Sequence, residues 1–115
     1  MKRFSIFIFY ILLFRGSLAQ DINRTIIVDG LQRQYIIHLP PGFYTLKKMP
    51  LLFALHGGGG TAKSAVSFYD MEALADKNNF IVVYPDAVNK AWSIPGMATR
   101  VKDYDSAVND LHFMN

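Results

Sequence analysis

Apolar residues in the first third of the chain fall into short runs that are separated by turn residues. Residues 25–28 and 34–39 are two runs of strand length, and the dipeptide Asp29-Gly30 lies between them. An Asp-Gly step between two such runs favours a tight turn, so the runs are predicted to pair as an antiparallel hairpin. His38 falls on the polar side of the second run, and we interpret it as a strand residue, not as a base or a ligand.

Two later runs, residues 50–55 and 80–84, are apolar almost throughout. Continuous apolar runs of this length are expected of strands buried on both faces of a parallel sheet. Between them, apolar residues recur at helical spacing from residue 65 to residue 75, with Thr61 and Ser64 as candidate caps.

A loop is predicted over residues 87–102, and the spacing over 104–114 predicts a last helix. The resulting order is hairpin, strand, helix, strand, loop and helix. This alternation predicts an α/β fold with a mainly parallel sheet, in which helices cross over between parallel strands.

The strand predicted at residues 50–55 leads directly into His56 and four consecutive glycines. In serine hydrolases of the α/β type, a glycine loop after such a strand supplies a backbone N–H to the oxyanion of acyl transfer. Glycine lets the backbone approach a substrate and adopt φ angles that a Cβ forbids. Gly57 and Gly58 are the candidate donors, and the His56 ring is expected to brace the loop through hydrogen bonds.

The same loop admits two other interpretations. Residues 57–64 miss the phosphate-loop pattern G-x-x-x-x-G-K-[ST] only at Ala62, and they lie between a predicted strand and a predicted helix, as that pattern requires. A nucleotide-binding domain is therefore an alternative. A flexible connector without any chemistry is the other.

The first nineteen residues read as an export signal. Lys2 and Arg3 precede an eleven-residue apolar run at 4–14, and Ser17-Leu18-Ala19 places small residues at a cleavage site. A bilayer span needs about 20 apolar residues, so this run is too short to be one. The pattern predicts a signal peptide at 1–19, a mature domain at 20–115, a secreted or periplasmic location, and no stable membrane association after cleavage.

Charge and cysteine content narrow the function further. Cleavage would remove three of the twelve basic residues and leave nine to balance nine acidic ones, so no nucleic-acid partner is implied. The chain has no cysteine, and an exported fold must then be stabilised by its core and not by disulfides. No motif implies a cofactor or a metal.

Several motifs occur in the order found in one group of enzymes. Arg33-Gln34-Tyr35, the run at 50–60 and the run at 75–86 resemble secreted esterases related to polyhydroxybutyrate depolymerases and to feruloyl or acetylxylan esterases. Asn79 stands where that group commonly has glycine, and asparagine is the next best residue for a left-handed helix cap. The segment 109–113 is similar to the one that precedes the nucleophile strand in the group, so the resemblance covers about residues 24–115.

The resemblance implies an α/β-hydrolase fold, of which this chain would carry the N-terminal half and stop before the nucleophile elbow. In such enzymes G-x-S-x-G, an Asp and a His would follow. Ser93 and Ser106 lack flanking glycines, so neither qualifies as the nucleophile. Asp86, Asp103 and Asp110 all precede the position at which the catalytic acid would occur; Asp110 is expected in the C-terminal half of the last helix, and Asp86 is expected to be a loop or cap residue.

We therefore expect a secreted carboxylic-ester hydrolase that uses a Ser-His-Asp mechanism in the intact enzyme, on a polyester or a plant cell-wall ester. This chain alone is expected to be inactive. A non-catalytic secreted module or pseudoenzyme fragment is the alternative. Trp92 is a candidate substrate-binding residue, and a local packing anchor is the competing interpretation.

Overall fold

The structure, a computed structural model, describes residues 18–94 and 105–115. The predicted signal peptide therefore lies outside the described residues except for its last two positions, and Asp103 lies outside them as well. Within the described ranges, no helix has the length and apolar character needed to cross a membrane.

The N-terminal hairpin consists of β1 (Gln20–Val28) and β2 (Leu31–Leu39), which pair antiparallel along their whole length. The connecting loop is Asp29 and Gly30, with φ angles of 52° and 77°. Positive φ at both central residues is what a type I′ turn requires, and the twist of that turn matches the twist of the paired strands. The predicted hairpin is confirmed, and both strands are longer than the apolar runs that indicated them.

The hairpin extends into a four-stranded sheet through β3 (Leu51–Phe53) and β4 (Ile81–Pro85), in the order β1-β2-β4-β3. Strand β4 is antiparallel to β2 and parallel to β3. The fold is therefore a mixed α/β sheet. The parallel pair with helices between its strands is confirmed, but a mainly parallel sheet is wrong for the described part, because both pairings of β2 are antiparallel.

Two short helices connect β3 to β4 where the spacing predicted one. They are α1 (Ala62–Tyr69) and α2 (Glu72–Asn78), and Asp70, with φ at 48°, ends the first in a left-handed conformation. Asn79 ends the second in the same conformation, with φ at 53°. The role of Asn79 as a left-handed cap is confirmed, since asparagine tolerates this region better than most residues that carry a Cβ.

The core lies between these helices and one face of the sheet. Val82 and Tyr84 of β4 have no exposed surface, which confirms the predicted burial of that strand. The Tyr84 hydroxyl donates to a Glu72 carboxylate oxygen at 2.8 Å, and burial together with this carboxylate raises the Tyr84 pKa. Alanines on the facing elements let the layers approach closely: Ala54, Ala62, Ala65 and Ala75.

Strand β3 is exposed, contrary to the expectation of burial on both faces. Leu51, Leu52 and Phe53 keep 51%, 40% and 38% of their surface exposed. The reason is position, because β3 is the last strand of the sheet and pairs only with β4 within the described residues. Its apolar side chains therefore face solvent in the described part of the chain.

The last helix is shorter than predicted. Helix α3 (Asp110–Phe113) begins after Asn109, whose side-chain oxygen accepts from the backbone N–H groups of Leu111 and His112. An asparagine that caps in this way fixes the first turn of a helix and competes with helix formation upstream. Asp110 is consequently the first helical residue, and its expected place in the C-terminal half of the helix is wrong.

His38 is a residue of β2, as predicted, but it does not lie on a solvent-exposed side. The ring is buried, with Nδ1 at 2.5 Å from an Asp21 oxygen and Nε2 at 2.8 Å from an Asp76 oxygen. Burial alone would lower the His38 pKa, but hydrogen bonds and charge from the two carboxylates outweigh it, so the pKa lies above 6.5. This contact ties both strands of the hairpin to α2.

Candidate functional site

The glycine loop begins where β3 ends. His56 is only 4% exposed, and both of its ring nitrogens are used. Nδ1 lies 2.7 Å from the Gly57 carbonyl oxygen, and Nε2 accepts from the backbone N–H of Ala87 at 3.2 Å. The proton is therefore on Nδ1, which donates to Gly57. These two hydrogen bonds hold the ring against the loop, and the role of His56 in an oxyanion-binding loop stays a prediction.

Trp92 also contacts His56, through a hydrogen bond and through its ring. Its indole N–H donates to the His56 carbonyl oxygen at 2.8 Å, and the two ring centroids are 4.7 Å apart. The indole is partly buried in this contact. Trp92 is thus a local packing anchor, and its contact with substrate stays a prediction.

The four glycine amides divide into two pairs. Gly59 N–H donates to the Lys90 carbonyl oxygen at 2.9 Å, and Gly60 N–H donates to the Gly57 carbonyl oxygen at 3.0 Å. The N–H groups of Gly57 and Gly58 have no acceptor among residues 18–94 and 105–115, and both residues are exposed. The loop therefore presents two adjacent donors to the solvent side.

Glycine is required by the fold at only two of the four positions. Gly59 has a φ of 76°, and a Cβ on Gly60 would lie 3.0 Å from the Gly57 carbonyl oxygen. A Cβ on Gly57 or Gly58 would meet open space, and neither residue has a positive φ. A positive φ therefore requires glycine only at Gly59 among the four. At Gly57 and Gly58, close approach by another molecule is the remaining physical reason for the absence of a side chain.

A cavity of about 360 Å³ opens beside Gly57. One wall is Gly57, and the opposite wall is α1, where Phe68 is 81% exposed. The Tyr69 hydroxyl donates to the Leu55 carbonyl oxygen at 2.9 Å and holds α1 against the end of β3. The lining is mainly apolar and consists of His56, Gly57, Ser64, Ala65, Phe68 and Tyr69.

The start of α1 is already occupied by protein groups. Thr61 and Ser64 form a capping box, each side chain bonding the other's backbone N–H. An Asp86 oxygen accepts from Ala62 N–H at 2.6 Å, which confirms Asp86 as a cap residue. A phosphate would need these amides and would face the Asp86 carboxylate, so the geometry argues against a nucleotide site. Nor does the described part of the chain hold a cluster of three or more potential metal ligands.

A buried ion pair, which the sequence did not predict, links β2 to α3. Arg33 bonds a carboxylate oxygen of Asp110, and the exposed fractions of the two side chains are 2% and 0%. The second Asp110 oxygen accepts from Ser93 N–H at 2.5 Å. Ser93 itself is 1% exposed, and its hydroxyl accepts from Asp105 N–H, so it is not accessible to a substrate.

A mixed α/β sheet with a glycine loop at the carboxyl end of a parallel strand is the arrangement that carries the oxyanion loop in α/β-hydrolases. Named esterases are among the relatives of this chain. It is 34% identical over 76 residues to the esterase NocK of Nocardia uniformis, covering 65% of this chain and 22% of NocK. It is 33% identical over 80 residues to feruloyl esterase C of Aspergillus terreus, covering 61% of this chain and 29% of that enzyme.

A peptidase is also among the relatives of this chain. Dipeptidyl-aminopeptidase B of Sclerotinia sclerotiorum is 39% identical over 67 residues, which cover 56% of this chain and 7% of the peptidase. The chain thus spans less than a third of the length of each of these relatives. No family model matches it.

A solved structure supports the fold. The S-formylglutathione hydrolase FrmB of Staphylococcus aureus superposes with a TM-score of 0.50 at 20% identity, over 65% of this chain and 32% of that structure. At this identity the likeness concerns the fold alone. The chain therefore resembles the esterase group over part of its length and shares its α/β architecture.

Proposed function

We propose that this chain supplies the oxyanion-binding loop of a secreted carboxylic-ester hydrolase with the α/β-hydrolase fold. The observation that carries the proposal is the pair of adjacent N–H groups on Gly57 and Gly58. They have no partner among the described residues, and Gly57 lines a cavity. The similarity to NocK and to feruloyl esterase C supports an ester as the substrate.

In the proposed mechanism, a serine attacks the ester carbonyl and a histidine takes its proton. The carbonyl oxygen becomes negatively charged and accepts from the Gly57 or Gly58 amide. A second donor is the amide that follows the nucleophile. Each such donor lowers the barrier by about 3 to 4 kcal/mol. The 115 residues contain no G-x-S-x-G, so we propose that this chain alone does not turn over esters.

The exposed edge of β3 offers a place for the nucleophile strand. A parallel strand added there would pair with backbone groups of β3 that have no partner in the described part of the chain. Carboxyl ends of parallel strands lie at the same end of a sheet, so the residue after such a strand would lie next to Gly57. This placement supports the interpretation of the chain as the N-terminal half of the catalytic domain.

The proposed substrate is a polyester or a plant cell-wall ester, and the predicted signal peptide supports a secreted or periplasmic location. The apolar wall formed by Ala65 and Phe68 suits the acyl or alkyl part of such an ester. The balanced charge of residues 20–115 gives no support to a nucleic-acid partner.

A chimera tests the proposal directly. Residues 18–115 would replace the matching segment of feruloyl esterase C, and hydrolysis of p-nitrophenyl acetate would be measured. We expect the chimera to be active, and we expect Gly57→Pro or Gly58→Pro, which removes one N–H, to lower kcat by about 10²- to 10³-fold.

The matched controls are Gly57→Ala and Gly58→Ala, which keep the N–H and add a methyl group into open space. They keep the donor, so a loss in these variants measures crowding of the substrate by the methyl group, and it should be smaller than the loss in the proline variant at the same position. Proline variants of both positions that keep full activity would contradict the proposed donors. Turnover by the 115-residue chain alone, abolished by a serine-directed phosphonate, would contradict its inactivity.

A further inference from the structure

The segment that follows β4 contacts the glycine loop at three points. Ala87 N–H donates to the His56 ring at 3.2 Å, and the Trp92 indole donates to the His56 carbonyl oxygen at 2.8 Å. Between them, the Lys90 carbonyl oxygen accepts from Gly59 N–H at 2.9 Å. Residues 87–93 therefore use both side-chain and backbone groups to hold the loop.

The backbone of this segment is in an unfavourable conformation at its centre. Asn89 and Lys90 are consecutive residues with φ angles of 52° and 60°. Residues that carry a Cβ occupy this region at a cost, and they remain there only where the surroundings hold them. Here the strained turn is the part that presents the Lys90 carbonyl to Gly59.

The far end of the segment is anchored in the protein interior. Ser93 N–H donates to an Asp110 oxygen at 2.5 Å, and Asp110 N–H lies 3.4 Å from the Ser93 carbonyl oxygen. Arg33 holds the other Asp110 oxygen. A fixed end is necessary, because a segment that moved freely could not restrain four consecutive glycines.

We infer that residues 87–93 form a clamp that holds the glycine loop in its donor-presenting conformation, and that Trp92 is the main positioning residue of this clamp. The clamp occupies Gly59 N–H and fixes His56, and it leaves Gly57 and Gly58 N–H unpaired by the described residues. Its catalytic meaning rests on the proposed function, but the restraint on the loop is a property of the chain itself.

Hydrogen exchange of the full 115-residue chain, followed by NMR, tests the clamp. Trp92→Phe keeps an aromatic ring beside His56 and removes the indole N–H. Loss of one hydrogen bond should accelerate exchange of the Gly59 amide by roughly tenfold and shift the Gly57 and Gly58 resonances. Trp92 is the single tryptophan, so its indole signal in the parent chain is unambiguous and should be protected.

The Ala75 amide is the internal reference, because it lies in the core and donates to the Met71 carbonyl oxygen at 2.8 Å. Acceleration at Gly59 that exceeds acceleration at Ala75 supports the clamp. Equal acceleration at both sites is global destabilisation and overturns it. Tyr44→Phe, at an exposed ring packed on Phe43, is the matched control and should leave the Gly59 rate within about twofold.

The parent chain provides a second test that does not depend on a folded variant. Gly59 in the parent should exchange more slowly than Gly57 and Gly58, and equal rates at all three would overturn the clamp. None of these measurements involves an ester. An inactive chimera with a protected Gly59 amide would therefore count against the proposed function and not against the clamp.

Discussion

Arg33 and Asp110 lie 77 positions apart in the chain and form an ion pair with almost no exposed surface. The Arg33 guanidinium carbon also lies 4.0 Å from the centroid of the Phe113 ring. The pair therefore joins β2 to α3, and through Ser93 it joins both to the segment that holds the glycine loop. This buried ion pair therefore helps to hold the last described helix against the sheet.

Removal of one partner of this pair should strongly destabilise the chain. Asp110→Leu leaves the Arg33 charge buried without a counterion, and such losses cost about 3 to 5 kcal/mol. Arg33 Nε is already buried without a hydrogen-bond partner among the described residues, and after loss of Asp110 the guanidinium would keep the Asp86 carbonyl oxygen, 3.2 Å from Nη2, as a neutral acceptor but no counterion. Urea unfolding measures the change. The double variant Arg33→Met/Asp110→Leu should regain most of the loss, and a single variant that costs less than about 1 kcal/mol would show that the pair is not tightly buried.

The contact of His38 with Asp21 and Asp76 predicts a stability that declines as the pH rises above about 6.5. Burial opposes the charge of the ring, but Asp21 and Asp76 outweigh it and raise the His38 pKa above 6.5. A raised pKa in the folded state stabilises the fold fully below the unfolded pKa, and this contribution is lost as the pH rises through the folded pKa. Urea midpoints measured upward from pH 6 should therefore fall.

Two variants separate this effect from other titrations. Asp76→Asn removes one carboxylate and should reduce the fall, because the partners are partly exposed and each contributes only part of the shift. His38→Gln removes the titrating ring itself and should abolish this part of the fall. Midpoints that stay level in the parent above pH 6 would contradict the interpretation of His38.

Alanine substitutions at the four glycines of the loop should lower the free energy of unfolding by different amounts. Gly59→Ala should cost about 1 to 2 kcal/mol of unfolding free energy, because φ is positive there. Gly60→Ala should also destabilise, since its Cβ would meet backbone and side-chain atoms at about 3 Å. Gly57→Ala and Gly58→Ala should lie within about 0.5 kcal/mol of the parent. Thermal unfolding of the four variants gives the order, and a large loss at Gly57 would show that its glycine is structural.

Nucleotides should leave the chain unaffected. The N–H groups of Ala62 and Ser64 at the start of α1 already donate to protein oxygens. They are therefore not available to bind the phosphates of ATP with magnesium. We expect no change in Tm at millimolar ATP, in the parent or in Lys63→Ala. Stabilisation by ATP that is lost in Lys63→Ala would restore the phosphate-loop interpretation.

Local chemistry was predictable wherever neighbouring residues determine it. The Asp29-Gly30 turn, the Thr61 cap and the left-handed Asn79 each depend on a few consecutive residues, and the structure has all three. The bracing of the loop by His56 also follows from adjacency, since its ring reaches the next carbonyl group along the chain.

Contacts between distant positions were not predictable from the pattern. Leu51 to Phe53 carry the composition of a buried strand, but burial depends on which strands and helices flank them. His38 reads as a polar strand residue, and only the sheet and α2 bring Asp21 and Asp76 to it. The hydrogen bond from Trp92 to His56 could not be predicted, because nothing in the sequence indicates that the loop after β4 folds back toward the end of β3.

The position of β4 between β2 and β3 determines when the sheet can form during synthesis. The hairpin closes through a two-residue turn, so it can form within microseconds of leaving the ribosome. Strand β3 has no contact with the hairpin sheet until β4 pairs with both. Until residues 81–85 are free to pair, β3 has no strand partner among the described residues, and its apolar residues 51–53 are available to chaperones throughout that interval.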